Sequence, residues 1–147
     1  FTGFVRYSSE VQKINSSSNS KKSEVLREML TLVDSAEKVL TDKNMDLDEF
    51  GRLLDYTWKL KRKTGKAVST NKIDDLYEKG IQAGALGGKL LGAGGGGFLV
   101  FYVQPEWQES VKKAMEDLLF IPFEFETTGT SVIYYAAEPY IPVEGGL

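Results

Sequence analysis

The 147 residues contain no cysteine and no histidine. Without cysteine there is no disulfide, no thiolate metal site and no cysteine nucleophile. Without histidine the commonest general base and metal ligand is gone. A surplus of one charge sign is also missing. The net charge is −3, which gives no global pull toward nucleic acid. No apolar run approaches the ~20 residues of a membrane span, and no signal peptide is expected. A reducing cytosol is compatible with this inventory. The length suits one domain, and the apolar share of 41% and charged share of 27% are ordinary for a globular chain.

Glycine is abundant and concentrated. Gly84, Gly87, Gly88, Gly92, Gly94, Gly95, Gly96 and Gly97 make up about half of the chain's 15 glycines. Glycine reaches positive φ without a Cβ clash and lets a second backbone or a ligand come close, at a cost in chain entropy. So dense a run weakens a fold unless its shape is needed. The apolar run Phe98–Val103 behind it reads as a buried strand, which anchors the loop to the core. Serine is absent and Leu90, Leu91 and Phe98 interrupt the run, unlike a flexible linker.

The remaining chain reads in order as follows. Residues 1–7 are β-rich, with no initiator Met, as though the sequence began inside an element. The chain is therefore expected to be a fragment of a longer polypeptide. Residues 16–20 form a polar loop. From Ser23 to Leu40, Val25, Met29, Leu32 or Val33, Ala36 and Val39 or Leu40 recur at helical spacing. Asp46 and Glu49 resemble a capping box, and Leu47, Phe50, Leu54 and Trp58 carry a second helical stripe to about Arg62. A third helix begins near Asn71, with Asp74 in its first turn. Ile73, Leu76 or Tyr77, Gly80 and Gly84 share one face of it, and the paired glycines predict close packing. Pro105 opens a fourth helix bearing Trp107, Val111, Ala114 or Met115 and Leu118. Phe123 and Phe125 alternate with acids like a half-buried strand, and Val132–Ala136 is the last strand, paired as a hairpin. The expected fold is α+β in the order β-α-α-α-β-α-β-β. A mostly antiparallel sheet of about four strands carries helices on one face. Residues 1–137 form the domain and 138–147 a tail.

Two nucleotide motifs fail on register. A Walker loop ending at Gly88-Lys89 has Ala83 at its first position and Leu90 where a hydroxyl should follow. A dinucleotide fingerprint at Gly92, Gly94 and Gly97 must open a helix, whereas a strand is predicted there.

The segment Gly87-Gly88-Lys89-Leu90-Leu91-Gly92-Ala93-Gly94-Gly95-Gly96-Gly97 resembles the third, C-terminal signature of the GHMP kinases, roughly G-x-[KR]-[LM]-[TS]-G-A-G-x-G-G. Leu91 departs from it where many members carry Thr or Ser. Phe1-Thr2-Gly3-Phe4-Val5-Arg6-Tyr7-Ser8-Ser9-Glu10 is similar to a stretch of the sugar-kinase branch. Trp58-Lys59-Leu60-Lys61-Arg62 and Ile73–Glu78 most resemble bacterial D-glycero-D-manno-heptose phosphate kinases, with fucose-type kinases next. The resemblance runs to about Tyr135.

The resemblance implies the C-terminal domain of an ATP-dependent, cytoplasmic sugar kinase acting on a heptose phosphate. ATP and Mg²⁺ would be bound mainly by an N-terminal domain, its partner across a cleft. It implies a nucleotide and active-site loop of Gly88, Lys89, Gly92, Ala93, Gly94, Gly95, Gly96 and Gly97. Backbone N–H groups in such a turn can form an anion-binding concavity, although packing alone would use the same glycines. Arg6, Lys61 and Arg62 are candidates for binding a sugar phosphate; each residue type also suits a surface charge or a helix C-terminus. No residue is assigned as catalytic or as a metal ligand, and no nucleic acid or membrane partner is expected. The alternatives are a stand-alone, non-catalytic ligand-binding or interaction module of the same fold, or a kinase for another sugar such as fucose.

Overall fold

The computed structural model describes residues 1–4, 20–92, 94–132 and 134. Three helices come first: α1 (Ser20–Thr41), α2 (Asp48–Arg62) and α3 (Asn71–Gln82). Strands β1 (Ala85–Leu90) and β2 (Leu99–Val103) follow, then a 3₁₀ turn (Pro105–Trp107) and α4 (Gln108–Ala114). The chain is thus α+β with an antiparallel sheet. No helix among the described residues is long and apolar enough to cross a membrane.

The helical stripes resolve largely as their spacing predicts, but Leu47 before α2 and Trp107 before α4, both expected on buried stripes, are 50% and 48% exposed. On α1, Val39 is buried and Val25, Met29, Leu32 and Ala36 are half-buried, while Val33 and Leu40 face outward. Asp46 starts α2 by accepting the Asp48 N–H on its carboxylate at 3.0 Å. Glu49 ion-pairs with Arg52, and its own N–H donates to the Asp46 backbone carbonyl, so the expected capping box does not form. Thr70 caps α3, its hydroxyl accepting from Ile73 N–H. The core is Trp58, Val68, Ile73, Tyr77 and Leu90, with Phe4, Ile81, Leu99 and Phe101 packed on it.

Glycines set the helix–strand distances. A Cβ on Gly80 would lie 2.6 Å from the Phe101 ring, and one on Gly84 2.8 Å from Trp107. Close packing at this pair of positions is as expected. The approach of α2 to β1 is tighter: a Cβ on Gly87 would lie 1.9 Å from the Gly51 carbonyl oxygen. A bulge between Ala85 and Gly87 shifts the β1 register. Gly87, opposite Tyr102, then meets α2, and Gly88, opposite Phe101, lies near α3. The two helices pack on different rows of the ribbon's side chains.

Three expectations need correction or restriction. The stretch 85–90 was expected as loop, yet it is a strand; small residues are what permit α2 to lie on it. The sheet has two strands among the described residues, against about four expected. Residues 1–4 form no strand and instead clasp Gly97, and the rest of the first expected strand lies outside the described residues. Residues 120–126 are irregular, with Phe123 63% and Phe125 90% exposed. Alternation states which face a strand would bury; it supplies no partner for the ladder. The Val132–Ala136 strand falls mostly outside the described residues, as does the tail.

Candidate functional site

The glycine-rich loop is the connection of a hairpin. Strands β1 and β2 pair up to Leu90 opposite Leu99, and Leu91 N–H donates to the Phe98 carbonyl at 2.8 Å. A strand therefore precedes and follows Gly92–Gly97. No helix N-terminus lies behind the loop, which removes the dinucleotide reading.

Within the loop the glycines divide into two kinds. Gly94 has φ +110, and a Cβ there would sit 2.8 Å from the Val68 backbone. Gly95 has φ 73, and its N–H donates to the Val68 carbonyl at 3.1 Å. Gly96 would bring a Cβ to 2.5 Å from the Phe4 carbonyl oxygen. Gly97 donates to Phe4 and accepts from Thr2, whose hydroxyl also bonds the Gly97 carbonyl. These four are seated against Ala67–Val68 and residues 2–4. Gly92 is different: its φ is +92, it is exposed, and nothing lies within 4 Å of a Cβ placed there. The open corner of the hairpin is Leu91–Gly92, and Ala93 lies outside the described residues.

Lysines border this corner. Lys61, from the last turn of α2, donates from Nζ to the Gly92 carbonyl at 3.1 Å. Lys89 projects from β1 and is half-buried. Burial, and after it the like charge of Lys89, push the Lys61 ammonium below its ordinary pKa of 10.5. Arg62, expected beside Lys61 on a ligand, is committed elsewhere: it pairs with Asp74 at 3.0 Å and lies 6.0 Å from the Tyr77 ring centre. Ser69 donates to the same Asp74 carboxylate at 2.7 Å. Gly88 sits inside β1, where a Cβ would meet the Val100 carbonyl at 2.6 Å, and is removed from the corner. Arg6 lies outside the described residues. The pair Ala67–Val68, which seats the loop, was not foreseen. Its one signal is two apolar residues between Lys66 and Ser69.

Tyr77 fixes the base of the hairpin. It is fully buried, and its hydroxyl donates to Asp55 at 2.8 Å. Asp55 in turn pairs with Lys59 at 2.6 Å. Burial first, then the hydrogen bond and charge of Asp55, raise Tyr77 well above its ordinary 10.0, with Gly88 and Arg62 acting the other way. Because the folded state favours the protonated phenol, this contribution is fully present below about pH 10 and is lost as pH rises further. Tyr77→Phe should cost about 1–3 kcal/mol at neutral pH, through the unpartnered Asp55 oxygen. It should also flatten the loss of stability above pH 10. Urea midpoints of both proteins across that range test this.

Among the described residues no group of three or more Asp, Glu, His or Cys could hold a metal ion. A groove of about 340 Å³ between the N-terminal segment and α3, lined by Phe4, Lys72, Leu76 and Lys79 among others, includes none of the loop glycines.

Comparison with known proteins bears on this geometry. Residues 33–119 match the family model described as GHMP kinases C terminal. The chain is 33% identical over 70 residues to the D-glycero-alpha-D-manno-heptose 7-phosphate kinase of Campylobacter jejuni, covering 48% of this chain and 21% of that protein. It is 36% identical over 95 residues to the mevalonate kinase of Thermococcus sibiricus, covering 63% of this chain and 28% of that one. The crystal structure of L. major mevalonate kinase in complex with R-mevalonate superposes with a TM-score of 0.67 at 21% identity, over 79% of this chain and 36% of that one. That last likeness speaks for the fold alone. The matched stretches thus span 21% and 28% of the length of these two curated relatives.

Proposed function

This chain belongs to the GHMP kinases C terminal family, and on that premise we propose that it is the C-terminal domain of an ATP-dependent, cytoplasmic sugar kinase. The enzyme transfers the γ-phosphate of ATP to a hydroxyl of a heptose phosphate. An N-terminal domain carries most of the ATP and Mg²⁺ contacts and closes the cleft from the other side. In this chain Gly92–Gly97 forms one wall of that cleft, with its open corner at Gly92. What carries the reading is a family signature folded as a rigidly seated hairpin whose Leu91–Gly92 tip stays exposed between lysines. Catalysis in such a site is positioning plus charge neutralisation. Arg6 and Lys61 are the acceptor-side candidates; Arg62 acts through the Asp74 pair.

A second reading keeps the kinase and changes the acceptor to mevalonate. It is favoured by the 36% identity over 95 residues to the T. sibiricus protein. An ATP-consumption assay of the full-length protein separates the two. Turnover with D-glycero-D-manno-heptose 7-phosphate and none with mevalonate is the expected result. The reverse pattern transfers the assignment to mevalonate, and consumption with neither acceptor removes both.

A further inference from the structure

The cations at the C-terminal end of α2 are not treated alike by the fold. Lys59 is neutralised by Asp55 at 2.6 Å and Arg62 by Asp74 at 3.0 Å. Lys61 and Lys89 have no carboxylate partner among the described residues; Lys89 lies two positions past Gly87, on the face of β1 that meets α2, and its charge, after burial, lowers the Lys61 pKa. Two ammonium groups held near each other on half-buried residues repel each other and lose hydration. Folding tolerates that cost only where other contacts offset it. The α2 carbonyls near them offer little relief, since Lys63 N–H, Thr64 N–H and the Thr64 hydroxyl already occupy Leu60 and Lys61 oxygens. Among the described residues the Lys61 ammonium finds one acceptor, the Gly92 carbonyl at 3.1 Å. Gly92 itself faces open space.

We infer that Lys61 and Lys89 form a two-ammonium clamp for the phosphate group that the acceptor already carries, seated at the Gly92 corner. This inference rests on the kinase reading for the identity of the ligand, but not for the existence of the site. A phosphate dianion supplies the missing counter-charge and accepts from both ammonium groups through charge-assisted hydrogen bonds. An acceptor without a phosphate leaves the repulsion in place, so the clamp selects phosphorylated acceptors. Arg62 plays no direct part, because its guanidinium is held by Asp74.

Side-chain carbon-detected NMR of the lysines in the full-length protein, titrated with inorganic phosphate, tests the clamp without turnover. Comparison with Lys61→Gln and Lys89→Gln assigns the two signals. Both should saturate along one binding curve. Lys89→Gln should weaken phosphate binding at Lys61 about tenfold or more. Lys112→Gln, at a lysine paired with Glu109 on α4, should leave it unchanged. The shifts should persist when a non-hydrolysable ATP analogue is bound. Signals that respond only as they do to matched sodium chloride would overturn the clamp. Loss of the phosphate response once the analogue is bound would instead give the site to the nucleotide and overturn the acceptor assignment. Failure of the full-length protein to phosphorylate any sugar would sink the sugar-kinase reading while leaving a saturable response intact.

Discussion

Gly87→Ala should remove a large share of this chain's stability at 25 °C. The added methyl would stand 1.9 Å from the Gly51 carbonyl oxygen and 2.8 Å from the Asp55 backbone nitrogen. Both obstacles are main chain of α2, so no rotamer change relieves them. Gly51 has no slack to give, because a Cβ on it would already meet Tyr102 at 2.7 Å and Leu86 at 2.9 Å. The only escape is to lift α2 off β1. That would pull Trp58 out of a core in which it is 1% exposed, against Tyr77, Val68 and Leu90. Overpacking typically costs about 1–3 kcal/mol where side chains can adjust. Where backbone must separate, the cost reaches about 3 kcal/mol or more, a large share of a stability of about 5–15 kcal/mol. The urea midpoint should collapse relative to the unmodified chain. An unchanged midpoint would mean that α2 does not lie on β1 as described.

The helices were legible in the sequence because periodicity reports directly which face is buried. Spacing alone separated Leu32 from Val33 only in part, and packing against α2 resolved it. Gly80 and Gly84 were readable as a close-approach face because two side-chain-free positions one turn apart leave room for something large. The structure supplies Phe101 and Trp107 there. Strand β1 was not legible. Ala-Leu-Gly-Gly-Lys-Leu has weak strand propensity, and its glycines serve close contacts, Gly87 with α2 and Gly88 with Phe101, rather than the pleat. Alternation misled at Phe123 and Phe125, since a period of two carries no information about a pairing partner.

At the candidate site the sequence located the loop but could not sort its glycines. Gly94, Gly95 and Gly96 are needed because Val68 and Phe4 crowd the backbone; these contacts span about 26 to 92 positions along the chain and leave no local trace. Lys61 and Arg62 are adjacent and chemically alike. Only the fold shows that one pairs with Asp74 and the other reaches Gly92.

Gly92 offers the second large effect, and here the expected loss is in activity. Substitution at Gly94 would confuse folding with function, because its Cβ position collides with the Val68 backbone at 2.8 Å. Gly92→Asn avoids that collision. The space around Gly92 is open, and asparagine tolerates positive φ better than other residues with a side chain. The strain costs about 1–2 kcal/mol, which a folded domain survives. If the corner borders the cleft, the asparagine side chain occupies the acceptor's approach. Misplacement of about 1 Å near reacting groups lowers the rate roughly 100-fold.

The decisive measurement is kcat/KM of full-length Gly92→Asn with ATP and a sugar phosphate, taken beside its urea midpoint. A fall of about 100-fold in kcat/KM with most of the stability retained is the expected pair of values. Unimpaired kcat/KM in a folded Gly92→Asn protein would mean that the exposed tip of this hairpin faces no cleft.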